Sequence, residues 1–187
     1  MDVDHSPFLR LRGMTFVELT TVIAIIGISL ATLAPSWSAM VQRNRVTTSA
    51  HELLAHLRYA RNEAVTRRQF VSLCPSIDGA NCSRDTRGWH HGYLVFEDRD
   101  GNRNRAPDEP LLRVQNKAQA GIRLHSTSAR PAIRFRADGA AWSTNTTFSV
   151  CQGLADRADS NRAVILYGSG RARIDRRAPG NRAISCG

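Results

Sequence analysis

The chain has 187 residues, of which 42% are apolar and 22% are charged. This composition excludes wholesale disorder and leaves room for one globular domain plus an additional element. Basic residues outnumber acidic ones by 26 to 16, and Lys117 is the only lysine, so the excess positive charge is carried by arginine. Arginine binds phosphate and carboxylate groups with two parallel hydrogen bonds, and such a surface suits nucleic acid or anionic lipid.

The N-terminal part of the chain contains an apolar segment that runs from Met14 to Ala34. As a helix rising about 1.5 Å per residue, it is long enough to cross the hydrocarbon core of a bilayer. A secretory signal peptide cleaved near Ala34 is the alternative. However, Glu18 lies inside the segment, where an unpaired carboxylate is costly, and Pro35 directly follows the only suitable cleavage position. We therefore expect a retained helix in which Glu18 has a partner.

The string Gly13-Met14-Thr15-Phe16-Val17-Glu18-Leu19 closely resembles the class III signal of type IV pilins and type II secretion pseudopilins. In those proteins a prepilin peptidase cuts after the glycine on the cytoplasmic face, and the new N-terminus is methylated. The resemblance implies a leader of residues 1–13, cleavage after Gly13 and methylation of Met14. It also implies that Glu18 acts in assembly by neutralising the N-terminal amine of a neighbouring subunit.

The helix is expected to continue beyond the apolar segment. From Ala50 to Ala64, apolar or small residues recur at three- and four-residue spacing, which is typical of one face of an amphipathic helix. We therefore expect residues 14–35 to form a transmembrane and filament-core helix, and residues 36–69 to form its amphipathic continuation.

Residues 70–187 change to short β-rich runs separated by Gly, Pro, Asn and Asp clusters, a pattern typical of antiparallel sheet. The predicted strands are Phe70 to Leu73, Tyr93 to Phe96, Leu111 to Val114, Ile133 to Phe135, Phe148 to Val150, Ala163 to Tyr167, and Ala172 to Ile174. We therefore predict an α+β fold of lollipop outline, in which the long N-terminal helix packs on an antiparallel β-rich domain.

A series of short motifs across this part of the chain resembles the GspH/FimT group of minor pilins and pseudopilins. The matching strings are Ala60-Arg61-Asn62-Glu63-Ala64, Val71-Ser72-Leu73-Cys74-Pro75, Trp89 with Gly92-Tyr93-Leu94-Val95-Phe96, Phe135-Arg136-Ala137-Asp138-Gly139, Phe148-Ser149-Val150-Cys151 and Gly168-Ser169-Gly170-Arg171-Ala172-Arg173. Together they span most of the mature chain. The resemblance implies a pilin-like fold and membership of a type IV pilus or a type II secretion pseudopilus.

The four cysteines form no C-x-x-C pair and have no histidine at zinc-finger spacing. An even number of cysteines in an exported chain indicates two disulfides, for which three connectivities are possible. We favour the sequence-local one, Cys74 with Cys82 and Cys151 with Cys186, which closes one short loop and ties down the C-terminus. Four buried thiols in a cytosolic protein are the alternative.

Motifs for catalysis are missing from the sequence: it has no G-x-S-x-G elbow, P-loop or H-E-x-x-H string. The adjacent His90 and His91 lie in a Trp/Gly/Tyr-rich turn, where a structural role is more common than a metal site. We expect no enzymatic activity, no cofactor and no metal. Residues 97–109 have acidic and Asn residues at a spacing reminiscent of a calcium loop, but Arg103 stands where an EF-hand needs glycine. A solvated hairpin is favoured there.

The segment from Asn161 to Gly187 contains six arginines and one aspartate. Arg171 and Arg173 alternate on an expected strand, which directs both side chains to one face. Gly168 and Gly170 favour a tight turn whose backbone N–H groups can approach an anion. A charged strand edge that discourages aggregation would have the same composition.

The string Gly170-Arg171-Ala172-Arg173 resembles the G-R-x-R motif of DNA-binding FimT-type pilins, whose arginines bind phosphate during natural transformation. The resemblance implies a site that binds double-stranded DNA without sequence specificity. Its expected residues are Gly170, Arg171, Arg173, Arg176, Arg177 and Arg182.

Taken together, the sequence predicts a minor type IV pilin of the GspH/FimT type that assembles into or primes a pilus and binds DNA for uptake. The alternative is a type II secretion pseudopilin of the H type, which acts in protein secretion. The expected partners are the prepilin peptidase, other pilins or pseudopilins, and the bacterial inner membrane. We expect a single-pass inner-membrane protein with a periplasmic C-terminal domain before assembly, and a periplasmic or extracellular filament subunit afterwards.

Overall fold

The computed structural model describes residues 14–127, 130–141, 145–153 and 160–186, and only the backbone of residues 31–36, 38 and 39. The chain divides into two compact units, Met1–Met40 and Val41–Gly187. The expected leader, residues 1–13, lies outside the described residues.

One long helix, α1 (Phe16–Arg67), accounts for the N-terminal part of the described chain. Thr15 precedes the first turn, and its Oγ1 accepts the backbone N–H of Glu18 at 3.3 Å. Such a hydroxyl satisfies one of the amide donors that a helix start leaves without a partner. At the other end, Arg68 adopts a left-handed conformation with φ 54°, and Gln69 N donates to Ala64 O. This arrangement ends α1 two residues before the predicted limit of the helix, residue 69.

The first unit carries many exposed apolar side chains. Within the residues whose side chains are described, they are Met14, Phe16, Val17, Leu19, Val22, Ile23, Ile25, Ile26, Ile28, Leu30, Trp37 and Met40. Across the described part of the chain, none of the helices combines the length and apolarity needed to cross a membrane. The side chains of residues 31–34, which end the expected apolar segment, lie outside the described residues.

The second unit contains two four-stranded antiparallel sheets. The strands are β1 (Val71–Pro75), β2 (Tyr93–Glu97), β3 (Leu111–Gln115), β4 (Ile122–Ser126), β5 (Ile133–Phe135), β6 (Thr146–Gln152), β7 (Arg162–Leu166) and β8 (Ala172–Asp175). The first sheet has the order β3-β2-β1-β5, and the second sheet has the order β4-β6-β7-β8. A short 3₁₀ helix, Gly88–His91, precedes β2.

The second half of α1 and the inner faces of both sheets share one hydrophobic core. The stripe that α1 contributes, from Val46 to Ala64, is buried almost completely, as its three- and four-residue spacing predicts. Trp89 closes the core: its ring meets Phe148 edge to face at 5.0 Å, and its Nε1 donates to Ser126 Oγ at 3.1 Å. The predicted α+β fold is therefore confirmed in this unit.

Seven of the eight strands coincide with predicted β-rich runs to within one or two residues at most ends. The strand missing from the prediction is β4, which the sequence encodes as Ile122 and Leu124 alternating with Arg123 and His125. The two apolar residues are buried, and the intervening residues lie on the opposite face. Because Arg123 and His125 occupy the outward positions, only two apolar residues indicate this strand in the sequence.

Both disulfides have the sequence-local pairing. Cys74 bonds Cys82 and Cys151 bonds Cys186, with sequence separations of 8 and 35 residues. The second disulfide joins strand β6 to the C-terminal segment. Ile184, just before Cys186, is buried in a small cluster with Ala163 and Ile165, so covalent and hydrophobic contacts hold the segment together.

Removing the longer cross-link should destabilise the second unit more than removing the shorter one. In the chain-entropy account, Cys151→Ser/Cys186→Ser loses roughly 4 kcal/mol and Cys74→Ser/Cys82→Ser about 2.5 kcal/mol, because the longer loop restricts the unfolded chain more. Urea unfolding of both double variants would measure the difference. A larger loss from the Cys74 and Cys82 variant would contradict this ranking.

Candidate functional site

The outer face of the second sheet is the face that points away from α1. In β8, Ala172 packs into the shared core, so alternation places Arg171 and Arg173 on the outer face, and both are exposed. Cross-strand register extends this face across the sheet: Arg173 pairs with Ile165, which pairs with Thr147. The two arginines singled out by the sequence therefore share one face, as expected.

The C-terminal segment, residues 176–186, lies on this outer face. Cys186 is bonded to Cys151 of β6, and Ile184 packs with Ala163 and Ile165 of β7. One nitrogen of His125 in β4 contacts Ser185 O at 3.1 Å. The segment and its arginines therefore belong to the same face of the sheet as Arg171 and Arg173.

Arg173 is held in place rather than freely mobile. Its Nη1 lies 2.7 Å from Asp175 Oδ2, and its Nε donates to the Tyr167 hydroxyl at 3.0 Å. The backbone N–H groups of Arg177 and Arg176, together with the Arg173 guanidinium, hold the pKa of Asp175 below its usual value. A guanidinium has five N–H donors, so those not used by Asp175 and Tyr167 remain for an anion.

The remaining arginines of the expected site are exposed at a turn after β8. Arg177 Nη1 donates to Asn181 O at 3.2 Å, and Arg182 Nε donates to Pro179 O at 3.0 Å. Arg176 contributes its backbone N–H to Asp175 Oδ1 at 2.7 Å. These contacts fix the backbone of the turn and the stems of two side chains while leaving further guanidinium donors at the surface.

The two glycine N–H groups of the turn, which were expected to approach an anion, are already used within the fold. Gly168 N already donates to Asn145 Oδ1, and Gly170 N already donates to Tyr167 O. Gly170 is needed for a different reason: its φ is +79°, and a Cβ there would lie 1.9 Å from Gly139 O. The glycine of the G-R-x-R string therefore permits a close approach of two backbones, and it is the arginines that face solvent.

The assembly residues lie at the start of α1. Glu18 and Met14 are exposed, whereas Gly13 lies outside the described residues. Glu18 occupies the first helical turn, where a carboxylate interacts favourably with the helix dipole.

The loop between β2 and β3 differs from the expected solvated hairpin. Carboxylate oxygens of Asp98, Asp100 and Glu109 lie within 4.8 Å of one another, and two of these residues are buried. Asp98 accepts Ser72 Oγ at 2.6 Å, and Glu109 accepts the backbone N–H groups of Arg99 and Ala106, both at 2.8 Å. Sequence spacing could not reveal that protein donors satisfy these carboxylates.

A family model described as type II transport protein GspH matches residues 49–170, well over half of the chain. The chain belongs to the GspH family. The resemblance found in the sequence is thus confirmed at the level of the family, and the matched range includes α1 from the core stripe onward, most of both sheets and Gly170.

Individual relatives agree with this assignment. The chain is 34% identical over 98 residues to the pilin-like protein PilA1 of Thermus thermophilus, a match that covers 52% of the chain and 55% of PilA1. The chain thus spans about half the length of that curated relative. The type IV minor pilin FimU of Pseudomonas aeruginosa has a similar fold, with a TM-score of 0.57 at 24% identity, covering 76% of this chain and 98% of FimU. A second crystal form of FimU gives a TM-score of 0.53.

Substituting Gly170 should test whether the motif glycine is structural. Gly170→Ala should lower the free energy of unfolding by about 2 kcal/mol or more, because a Cβ meets the Gly139 carbonyl and alanine is strained at positive φ. Gly168→Ala is the matched control, since nothing lies within 4 Å of its added Cβ and its φ is outside the left-handed region. Equal thermal denaturation midpoints for the two variants would contradict the structural role.

Proposed function

We propose that this GspH-family protein is a minor pilin that assembles into or primes a type IV pilus. The observation that carries the proposal is the exposed apolar surface of the first half of α1, attached to a second unit of pilin-like fold. Large apolar patches on an isolated chain mark surfaces that are covered by lipid or by other subunits. Before assembly the inner membrane covers this helix, and in the filament the helices of other pilins do so.

In the proposed assembly, the carboxylate of Glu18 pairs with the N-terminal amine of a neighbouring subunit. The carboxylate is exposed at the first turn of α1, beside the position where prepilin cleavage would create a positively charged amine on Met14. In a dry filament core, a carboxylate and an amine from neighbouring subunits neutralise each other, and breaking one such pair leaves a buried charge. The same residues serve a type II secretion pseudopilin, which is the second candidate and is favoured by the description of the matching family.

The proposed second activity is binding of double-stranded DNA through the outer face of the second sheet. Arg171 and Arg173 face the same side, and the C-terminal segment on that face carries the exposed Arg176, Arg177 and Arg182. Arginines on a strand and a turn reach phosphates, whereas reading bases requires an element that enters a groove. Binding is therefore independent of base sequence, and its expected role is DNA uptake during natural transformation.

Processing should depend on Gly13, and assembly should depend on Glu18. In cells with a prepilin peptidase, mass spectrometry should find a mature protein that begins with N-methyl-Met14, and Gly13→Val should retain the leader. Glu18→Gln should be processed but fail to enter sheared filaments, while Glu52→Gln, also exposed on α1, should assemble normally. A cut near Ala34 would refute the prepilin assignment.

DNA binding should require the two arginines beside Gly170. With full-length protein in a non-ionic detergent, Arg171→Gln/Arg173→Gln should weaken binding to duplex DNA. It should also flatten the slope of log K against log salt by roughly two units, because each phosphate contact contributes about −0.9. Fluorescence anisotropy at several salt concentrations would measure both effects.

The matched control for this experiment is Arg58→Gln/Arg84→Gln. It removes the same charge from two exposed arginines that lie outside the second sheet. Asp175→Asn provides a change of opposite sign: it removes the carboxylate that pairs with Arg173 and should tighten binding. If both double variants weaken binding equally, net charge rather than the motif is responsible.

A further inference from the structure

Beside the arginines of β8, the outer face of the second sheet contains a polar cavity of about 370 Å³. One wall is formed by β4 and β6, a second by the C-terminal segment, and a third by the loop before the 3₁₀ helix. The side chains that give the cavity its chemistry are Arg87, Arg182, His125, Thr127, Thr147 and Ser149. Sequence reasoning singled out only Arg182 among them.

The charges of this cavity all have one sign. Arg87, from the loop before the 3₁₀ helix, and Arg182, from the C-terminal segment, both line it together with His125 of β4, and none of the described lining residues is acidic. Burial lowers the pKa of His125, and the hydrogen bond to Ser185 O offsets this only in part, while the positive charge of Arg87 lowers the pKa further. Two guanidinium groups near one another and a polar floor are the arrangement that recognises a phosphate group.

The polar groups of the cavity retain unused hydrogen-bond donors. Arg182 uses its Nε for Pro179 O, which leaves its terminal nitrogens for an anion, whereas the single N–H of a neutral His125 is already donated to Ser185 O. The Thr127 hydroxyl donates to Thr147 O and accepts from Thr147 N, and these two hydrogen bonds fix the floor of the cavity. An anion can therefore enter without first breaking a contact of the fold.

Sheet register relates the cavity to the proposed DNA surface. Thr147 on the cavity floor pairs with Ile165, which pairs with Arg173. Strands in a sheet lie about 4.8 Å apart, so the floor is roughly 10 Å from the Arg173 position. This distance is about three base-pair rises along one DNA strand, so a single strand can contact both places.

We propose that this cavity binds a phosphodiester group of the DNA backbone, with Arg87 and Arg182 as its two cationic ligands. The inference rests on the proposed DNA-binding function and extends it to Arg87, a residue distant in sequence from the C-terminal arginines. The same chemistry would accept inorganic phosphate or the phosphate of a lipid headgroup.

Full-length protein in a non-ionic detergent provides the test. Isothermal titration with inorganic phosphate should detect binding that Arg87→Gln and Arg182→Gln each weaken about tenfold, the effect of one charge-assisted contact. Arg123→Gln is the matched control, because this exposed arginine lies on the same face and strand as His125 but lines a different cavity. It should leave phosphate binding unchanged. Thermal midpoints equal to that of the parent would show that the variants fold.

Measurements of duplex DNA binding with the same variants distinguish this inference from the proposed function. Arg87→Gln should reduce the salt slope for duplex DNA by about one unit, and Arg123→Gln should reduce it less. DNA binding that depends on Arg171 and Arg173 but is weakened equally by the Arg87 and Arg123 variants would refute the phosphate site in the cavity. The proposed DNA-binding function would then still stand. If phosphate binding depends on Arg87 but the protein does not bind DNA, both DNA assignments are refuted. They are also refuted if phosphatidylglycerol vesicles displace the bound phosphate and DNA does not.

Discussion

The burial of one stripe of α1 against two sheets is the contact on which the second unit depends. Ala50, Ala60 and Ala64 are fully buried in the core that α1 shares with both sheets. Leu53 and Leu57 fill the space between them with apolar surface, each worth about 2 kcal/mol on burial. Because a single helix satisfies the inner faces of both sheets, the outer faces are free to carry chemistry.

The two outer faces use this freedom differently. On the first sheet, Cys74, Leu94 and Phe96 form a small buried cluster closed by the short disulfide to Cys82. On the second sheet, the C-terminal segment covers only part of the surface and leaves arginines exposed around it. The charge exposed on the outer face of the second sheet therefore depends more on the path of the C-terminal segment than on the composition of the strands.

The sequence predicted the fold well wherever a pattern was local. The helical stripe of α1, the strand around Val71 and the two disulfides all depend on spacing within short stretches of chain. Strand β4 was missed because Arg123 and His125 alternate with only two apolar residues. No local pattern could show that the N–H group of Gly168 is already donated to Asn145, or that Gly170 lies against the backbone of Gly139, because both partners lie in other parts of the fold.

The candidate site was predictable in part for the same reason. Alternation places Arg171 and Arg173 on one face, but their relation to Arg87 arises only when β4 pairs with β6 and the C-terminal segment folds back. The buried carboxylates of Asp98 and Glu109 show that a local spacing can also mislead. Their spacing resembles that of a metal loop, but a hydroxyl and a backbone amide of the protein donate hydrogen bonds to them.

The bond between Cys151 and Cys186 also makes the outer surface of the second sheet dependent on the redox state of its surroundings. A newly made chain in a reducing cytoplasm has no covalent link between β6 and its last residues, and Arg182 is then positioned by the small apolar cluster around Ile184 and by hydrogen bonds alone. Oxidation completes the wall that Arg182 occupies. Under the proposed function, the protein would acquire its full arginine surface only in an oxidising compartment, away from the chromosome beside which it is made.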